Sequence, residues 1–295
     1  MSIILDRNSK ILVQGITGHQ GTQHTKAMKE FGTNVVGGVT PGKGGQQVEG
    51  VPVFNSVAEA FGKLPSEKRP NTQIIFVPAP FAKDSAYEAM AQGIKTIVII
   101  TEHIPVHDAM QLMAYADYNK VTIVGPNTPG VISPGEKCKV GIMPAAVFKP
   151  GRIGVISRSG TLTYEVVNAM SEAGFGQSSC IGLGGDPVVG TSFVEAIDMF
   201  AKDNETDAIV MVGEIGGTAE ETAGEHIVAA GIRKPVFAYI AGSTAPPGKR
   251  MGHAGAIVLR GKGTAESKIR SLTAAGVNVA NIPSGIPMML KEAKL

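Results

Sequence analysis

Short apolar runs that end in glycine-rich turns recur along the whole chain and set its expected architecture. Residues 10–14 read as a strand, the turn from Gly15 to Gly21 follows, and a helix is expected over 20–31, stopped by Gly32. Further strands are expected at 34–39, 72–77, 96–101 and 121–124, with helices over 82–92 and 106–118. Strand–helix–strand alternation predicts a parallel sheet covered on both faces. The polar, proline-bearing segment 64–71 reads as a surface loop. Prolines and glycines from 125 to 135 then break the pattern, and the chain is expected to stay irregular to Gly151. Domains are therefore expected at 1–126 and 127–295, with the linker inside 127–151. Beyond it, strands are expected at 153–156, 178–183, 208–212 and 236–240, and a helix over 161–173 ended by Gly174.

A length of 295 residues suits two domains, and 43% hydrophobic content is ample for their cores. The net charge of +2 comes without a Lys/Arg tract, so no nucleic-acid partner is expected, although small basic sites for phosphates remain compatible. No apolar run reaches membrane-spanning length and the polar start is unlike a signal peptide. No membrane association is expected, and the cytoplasm (or an organelle matrix after processing) is the expected location. The two cysteines, Cys138 and Cys180, read as fillers rather than a disulfide framework. The 38 glycines gather after apolar runs, where backbone must approach ligands.

In an open parallel sheet, ligands bind beyond the carboxyl ends of the strands. In the second half those ends carry Ser159-Gly160-Thr161, Gly185-Asp186, Gly213-Glu214 and the loop Gly248 to Ala256 around His253. An imidazole with a pKa of about 6.5 serves as nucleophile or base near neutrality. Glu214 is the natural orienter, fixing the tautomer of the ring, or else an acid at a helix N-terminus. Ser159 is a sensible N-cap, and the Ser-Gly-Thr helix start would also hold a phosphoryl group. Lys249 and Arg250 either screen a phosphorylated imidazole or are solvated. In the first half, the glycine turn either presents N–H groups to an anion or packs helix on strand. The next strand lacks the terminal acid that holds ribose in NAD-binding folds; instead Lys43 stands in a mobile glycine loop. That lysine suits the extra ribose phosphate of coenzyme A or NADP, or is merely solvated. Pro78-Ala79-Pro80 stops a strand and shapes a lip, Glu102 meets a ligand or caps a helix, and Asn127 is a turn residue or a cleft contact. No Gly-x-x-x-x-Gly-Lys-Ser/Thr loop occurs, so a nucleoside triphosphate donor is expected on another chain; no metal site is expected here.

Together, the runs from Val39 to Gly45, Ser157 to Glu165, Gly182 to Pro187, Gly213 to Gly217 and Lys249 to Ala256 resemble, in order, the alpha subunits of succinyl-CoA synthetase. The resemblance implies an α/β chain with an N-terminal Rossmann-like coenzyme A-binding domain and a flavodoxin-like, doubly wound parallel-sheet ligase domain. It implies that His253 is phosphorylated during turnover with Glu214 as its partner, and that Ser159, Gly160 and Thr161 hold the phosphohistidine. Thr17, Gly18, His19, Gln20, Lys43, Ile100, Thr101 and Glu102 match coenzyme A contacts, and Tyr164 matches a residue at the dicarboxylate substrate. It further implies a beta subunit of ATP-grasp fold that binds ATP or GTP with Mg2+, in a heterodimer or an α2β2 heterotetramer. The implied reaction joins succinate and coenzyme A at the expense of a nucleoside triphosphate, through acyl phosphate and phosphohistidine. In the order read here, the nucleotide phosphorylates succinate, coenzyme A displaces the phosphoryl group to His253, and the diphosphate then recovers it. Thr128 stands where many relatives have cysteine, His103 where glycine is common, and Ala145-Ala146 where Gly-His is usual. Because Thr128 falls near the expected thioester end, malate–CoA or citrate–CoA ligase subunits are alternatives. The glycine turn and Lys43 keep an NADP-dependent oxidoreductase as the rival enzyme.

Overall fold

The computed structural model describes residues 3–246, 251–258 and 263–295; Lys249 and Arg250 lie outside the described residues. The first sheet is built from β1 (Ile11–Gln14), β2 (Val35–Val39), β3 (Gln47–Val48), β4 (Val51–Phe54), β5 (Thr72–Ile75), β6 (Thr96–Ile99) and β7 (Thr122–Val124). Its order is β3-β4-β2-β1-β5-β6-β7, parallel except where β3 turns back on β4. The parallel strands follow the doubly wound dinucleotide-fold order, which reverses beside the first strand and leaves a crevice between β1 and β5. Helices α1 (His19–Phe31), α2 (Val57–Lys63), α3 (Ala79–Ala91) and α4 (Val106–Asn119) connect them. Helix α3 starts three residues before its expected position because Pro80 lies in the first turn, where a missing N–H costs no helical bond.

The second sheet contains β8 (Gly130–Ser133), β9 (Cys138–Gly141), β10 (Pro150–Ser157), β11 (Gln177–Gly182), β12 (Ala208–Glu214), β13 (Val236–Ala241) and β14 (Asn278–Ala280). They are ordered β14-β13-β12-β10-β11-β8-β9. Strands β10 to β14 are parallel in the flavodoxin-like order, so the reversal here lies between β10 and β12. The helices of this half are α5 (Gly160–Glu172), α6 (Phe193–Lys202), α7 (Ala219–Ala229), α8 (Ala265–Ala274) and α9 (Ile286–Glu292).

The expectation that residues 127–151 stay irregular is corrected. Strands β8 and β9 form an antiparallel hairpin that completes one edge of the second sheet against β11. The hairpin pairs Gly130 with Gly141, where a Cβ on either would meet the opposite backbone, so residues that read as loop are what let the strands close up. Segment 64–71 is largely exposed, as expected, with one 3-10 turn at Ser66–Lys68. Both cysteines are buried and unpaired, and burial pushes the Cys138 thiol up to about 12.

One continuous apolar cluster runs through both sheets, joining Val13, Ile74 and Val98 to Ile156, Ile181 and Phe193. Each fully buried side chain of this size contributes about 1.5–3 kcal/mol over exposure. The halves are also tied where α1 meets β9: the Thr33 hydroxyl donates to the Lys139 carbonyl and accepts the Lys139 N–H, both at 2.9 Å. Arg7 adds an ion pair with Glu136 at 2.6 Å.

Candidate active site

Both sheet reversals turn their carboxyl ends toward one region. In the second sheet, β10 delivers Ser159 and the start of α5, β11 delivers Gly185 and Asp186, and β12 ends on Glu214. The chain leaving β13 brings His253, whose Nδ1 stands 2.9 and 3.0 Å from the two Glu214 carboxylate oxygens. An ionised carboxylate only accepts, so Nδ1 carries the proton and donates it, and Nε2 presents its lone pair. Glu214 closes a strand, and α7 begins only at Ala219, so the reading of Glu214 as a helix N-terminal acid falls away. Its hydrogen bond holds the His253 pKa above the ordinary imidazole value; burial and the Arg158 guanidinium work against this rise, while the charges of Glu214 and Asp186 add to it. Gly185 forms the wall behind the ring, where a Cβ would fall 2.4 Å from His253 Cγ.

His253 lines a cavity of about 680 Å³ that both sheets share. Gly160, Thr161 and Tyr164 reach it from the second half, and Gln20, Ile100, Thr101 and Glu102 from the first. Pro78 and Ala79 form part of its lip, as their position after a strand suggests. Ser159 does not line it; its hydroxyl accepts from Leu162 N–H at 3.4 Å, a weak N-cap that leaves Gly160 and Thr161 facing the space. Burial pushes the Tyr164 phenol up to about 12, so it stays a neutral hydrogen-bonding group. Glu102 is exposed at the cavity and pairs with His103 at 3.5 Å, while α4 has no side-chain cap, so the capping alternative is not what forms.

Thr17, Gly18, His19 and Lys43 lie outside that cavity but adjoin one another beyond β1 and β2. The Thr17 and Thr40 hydroxyls are 3.1 Å apart, and Lys43 N–H donates to the Thr40 carbonyl at 3.0 Å. No side chain caps α1, so its first turn keeps N–H groups for an anion. The loop around Lys43, expected to be mobile, is pinned: Gly42 and Gly44 N–H both donate to Asn55 Oδ1 at 3.0 Å. The lysine side chain itself is exposed.

Further residues stand close around the site. Asn127 Nδ2 donates to Asp186 Oδ1 at 2.9 Å, so the turn residue is also a cleft contact beside His253. Thr128 is buried, its hydroxyl donating to Gly182 O and accepting Gly130 N–H. Arg158, Glu220 and Lys268 form a buried charged group behind Glu214. Arg158 stands in the run from Ser157 to Glu165; nothing in the sequence singles out Glu220 or Lys268, and only the fold shows them buried.

A family model described as CoA binding domain matches residues 6–103, and one described as CoA-ligase matches residues 156–278. The chain is 57% identical over 284 residues to the succinate–CoA ligase [ADP-forming] subunit alpha of Methanothermobacter thermautotrophicus, covering 96% of this chain and 94% of the relative. It is 56% identical over 288 residues to the protein of the same name from Aquifex aeolicus, covering 97% and 92%. Among solved structures, the ATP citrate lyase of Methanosaeta concilii in complex with (3S)-citryl-CoA matches 99% of this chain with a TM-score of 0.89 at 21% identity. This chain spans 51% of that one, and the likeness is one of fold. No helix among the described residues is long and apolar enough to cross a membrane.

Proposed function

The chain belongs to the succinate–CoA ligase alpha-subunit family, and from that premise we propose that it carries phosphoryl groups on Nε2 of His253 in an ADP-forming succinate–CoA ligase. The observation that carries the assignment is the His253–Glu214 hydrogen bond opening on a cavity shared with the α5 start and Tyr164.

Nε2 attacks the terminal phosphorus of the nucleotide; a P–N bond forms as the P–O bond to the diphosphate breaks. Glu214 keeps the proton on Nδ1 and offsets the positive charge the ring acquires. The α5 start, with Gly160 and Thr161 on the cavity and Ser159 capping, is the ligand site for the phosphoryl oxygens. A succinate carboxylate oxygen then attacks phosphorus, the P–N bond breaks, and Nε2 recovers its lone pair as acyl phosphate forms. Phosphoryl balance thus reverses the order first expected, because direct phosphorylation of succinate followed by transfer to His253 and back to the diphosphate would consume no nucleotide. Tyr164, on the same cavity, is placed to hydrogen-bond the dicarboxylate.

The residues present fit coenzyme A. The uncapped α1 start (Thr17, Gly18, His19, Gln20) and exposed Lys43 suit its phosphates, and Ile100, Thr101 and Glu102 lead toward His253. Coenzyme A supplies the thiol that takes the acyl group, with release of inorganic phosphate.

The relatives are named as subunits, which implies a partner; we assign that partner the ATP-grasp fold and the Mg2+-bound nucleotide, in one or two alpha–beta pairs. ADP-forming relatives favour ATP as donor, and their naming for succinate favours it over malate or citrate. A division of the chain at 126/127 is supported by the passage from β7 to β8, with no long linker after it. Two unpaired buried thiols suit the cytoplasm.

Incubating the chain and its partner with labelled ATP and Mg2+ should give an acid-labile, base-stable adduct that His253→Ala abolishes. Label retained in that variant would overturn the assignment. A panel of succinate, malate, citrate and acetate on the complex should show turnover with succinate.

A further inference from the structure

Both peptide groups of Glu214 are held by side chains from helices. Its N–H donates to Glu220 Oε1 at 3.1 Å, and its carbonyl accepts from Lys268 Nζ at 2.8 Å. Glu220 stands in the first turn of α7 and Lys268 on α8; both side chains are fully buried and paired with each other. Lys268 also donates to Gly216 O at 2.7 Å, and Arg158 donates to the same oxygen at 3.0 Å. Arg158 lies 3.3 Å from Glu220 Oε1 and 3.8 Å from Glu214 Oε1. Gly213 leaves room for this arrangement, since a Cβ there would fall 2.7 Å from Glu220 Oε1.

Burying a charged pair is weak as a source of stability, because desolvation offsets most of the attraction. The arrangement nonetheless spends its donors and acceptors on one residue, and that residue orients the histidine. We propose that Glu220 and Lys268 are positioning residues: they clamp the Glu214 backbone from both sides, and Arg158 steadies its carboxylate, so that His253 is held in one tautomer and one orientation. The proposal rests on the reading of His253 as the phosphoryl carrier. Among the described residues, Glu214, Arg158 and Asp186 are the charged groups acting on the ring, from the ends of β12, β10 and β11 respectively. Neither Glu220 nor Lys268 reaches the ring; they act through Glu214.

The test uses the full chain with labelled imidazoles, in which the six histidines are few enough to assign, His253→Ala identifying its own resonance. In Glu220→Gln, whose amide faces the Lys268 ammonium with no negative charge, the Glu214 carboxylate loosens. The His253 titration midpoint should then fall about threefold in proton affinity, half a pKa unit. Phosphorylation with the partner subunit should slow about tenfold while KM for nucleotide holds. Glu220→Gln with Lys268→Met replaces the pair by neutral residues of like size, a change folds commonly tolerate. It should show the same two losses and decides the matter if the single variant does not fold. In the unsubstituted protein the Glu214 amide should exchange as slowly as the sheet core. Folded variants with the wild-type titration and labelling rate, or a fast-exchanging Glu214 amide, would overturn the clamp. Retained label in His253→Ala would sink the carrier reading instead and leave the titration result standing.

Discussion

A methyl group placed behind the histidine is the sharpest probe of this site. In Gly185→Ala, the new Cβ would sit 2.4 Å from His253 Cγ, against the 3.4 Å or more of ordinary contacts, so the ring must retreat by about 1 Å. Gly185 itself has little freedom to yield: its N–H donates to Asn127 O at 3.2 Å and its carbonyl accepts Gly255 N–H at 3.1 Å. The strain therefore passes to the imidazole, whose bond to Glu214 at 2.9 Å does not survive a shift of that size. A misplacement of about 1 Å commonly costs about 10²-fold in rate, or about 2.7 kcal/mol of barrier. Phosphorylation in a rapid-quench assay with labelled ATP and the partner subunit should fall by that factor, with little change in melting temperature. Gly62→Ala, where a Cβ meets nothing, is the control and should label normally. Wild-type labelling in folded Gly185→Ala would refute the claim that His253 works from this position.

Glu214→Gln should slow labelling about 10- to 150-fold, the worth of one charge-assisted hydrogen bond of about 1.5–3 kcal/mol, because the amide no longer dictates the tautomer; equal rates in quench-flow would contradict it. Since the folded His253 pKa is raised by Glu214, its pairing stabilises the fold fully below about pH 6.5 and that contribution is lost as pH rises through the raised value. Labelling needs Nε2 unprotonated, so its rate should climb with pH through a midpoint above about 6.5, which falls in Glu214→Gln. Lys43→Ala should raise KM for coenzyme A about threefold without lowering kcat, as expected of an exposed charge contact, and dephospho-coenzyme A should not distinguish variant from wild type.

Most of the parallel strands were legible as buried apolar runs that stop at glycine, proline or polar turn residues, and β1, β6, β12 and β13 lie within two residues of expectation, whereas the short parallel strands β4 and β14 were not expected. Glu214 and His253 stand 39 residues apart, yet both follow such runs, and the rule that ligands gather at carboxyl edges brings them together. Hairpin β8–β9 escaped because its four-residue strands are bounded by prolines and glycines, the signals that ordinarily mark a loop. Glu220 and Lys268 escaped for another reason: nothing local distinguishes a charged helical residue aimed at solvent from one aimed inward. Their burial follows only from how α7 and α8 pack on the sheet.

Hairpin β8–β9 bears on how this protein can be taken apart. A fragment beginning at residue 150, or one cut to the matched span 156–278, would strip β8 from β11 and leave a row of unsatisfied amides and carbonyls along that margin. Such a piece invites self-association, whereas one starting before Gly130 keeps its border closed. Even then α1 would go, and with it the threonine grip on β9, so the two halves are better regarded as cast together than bolted on.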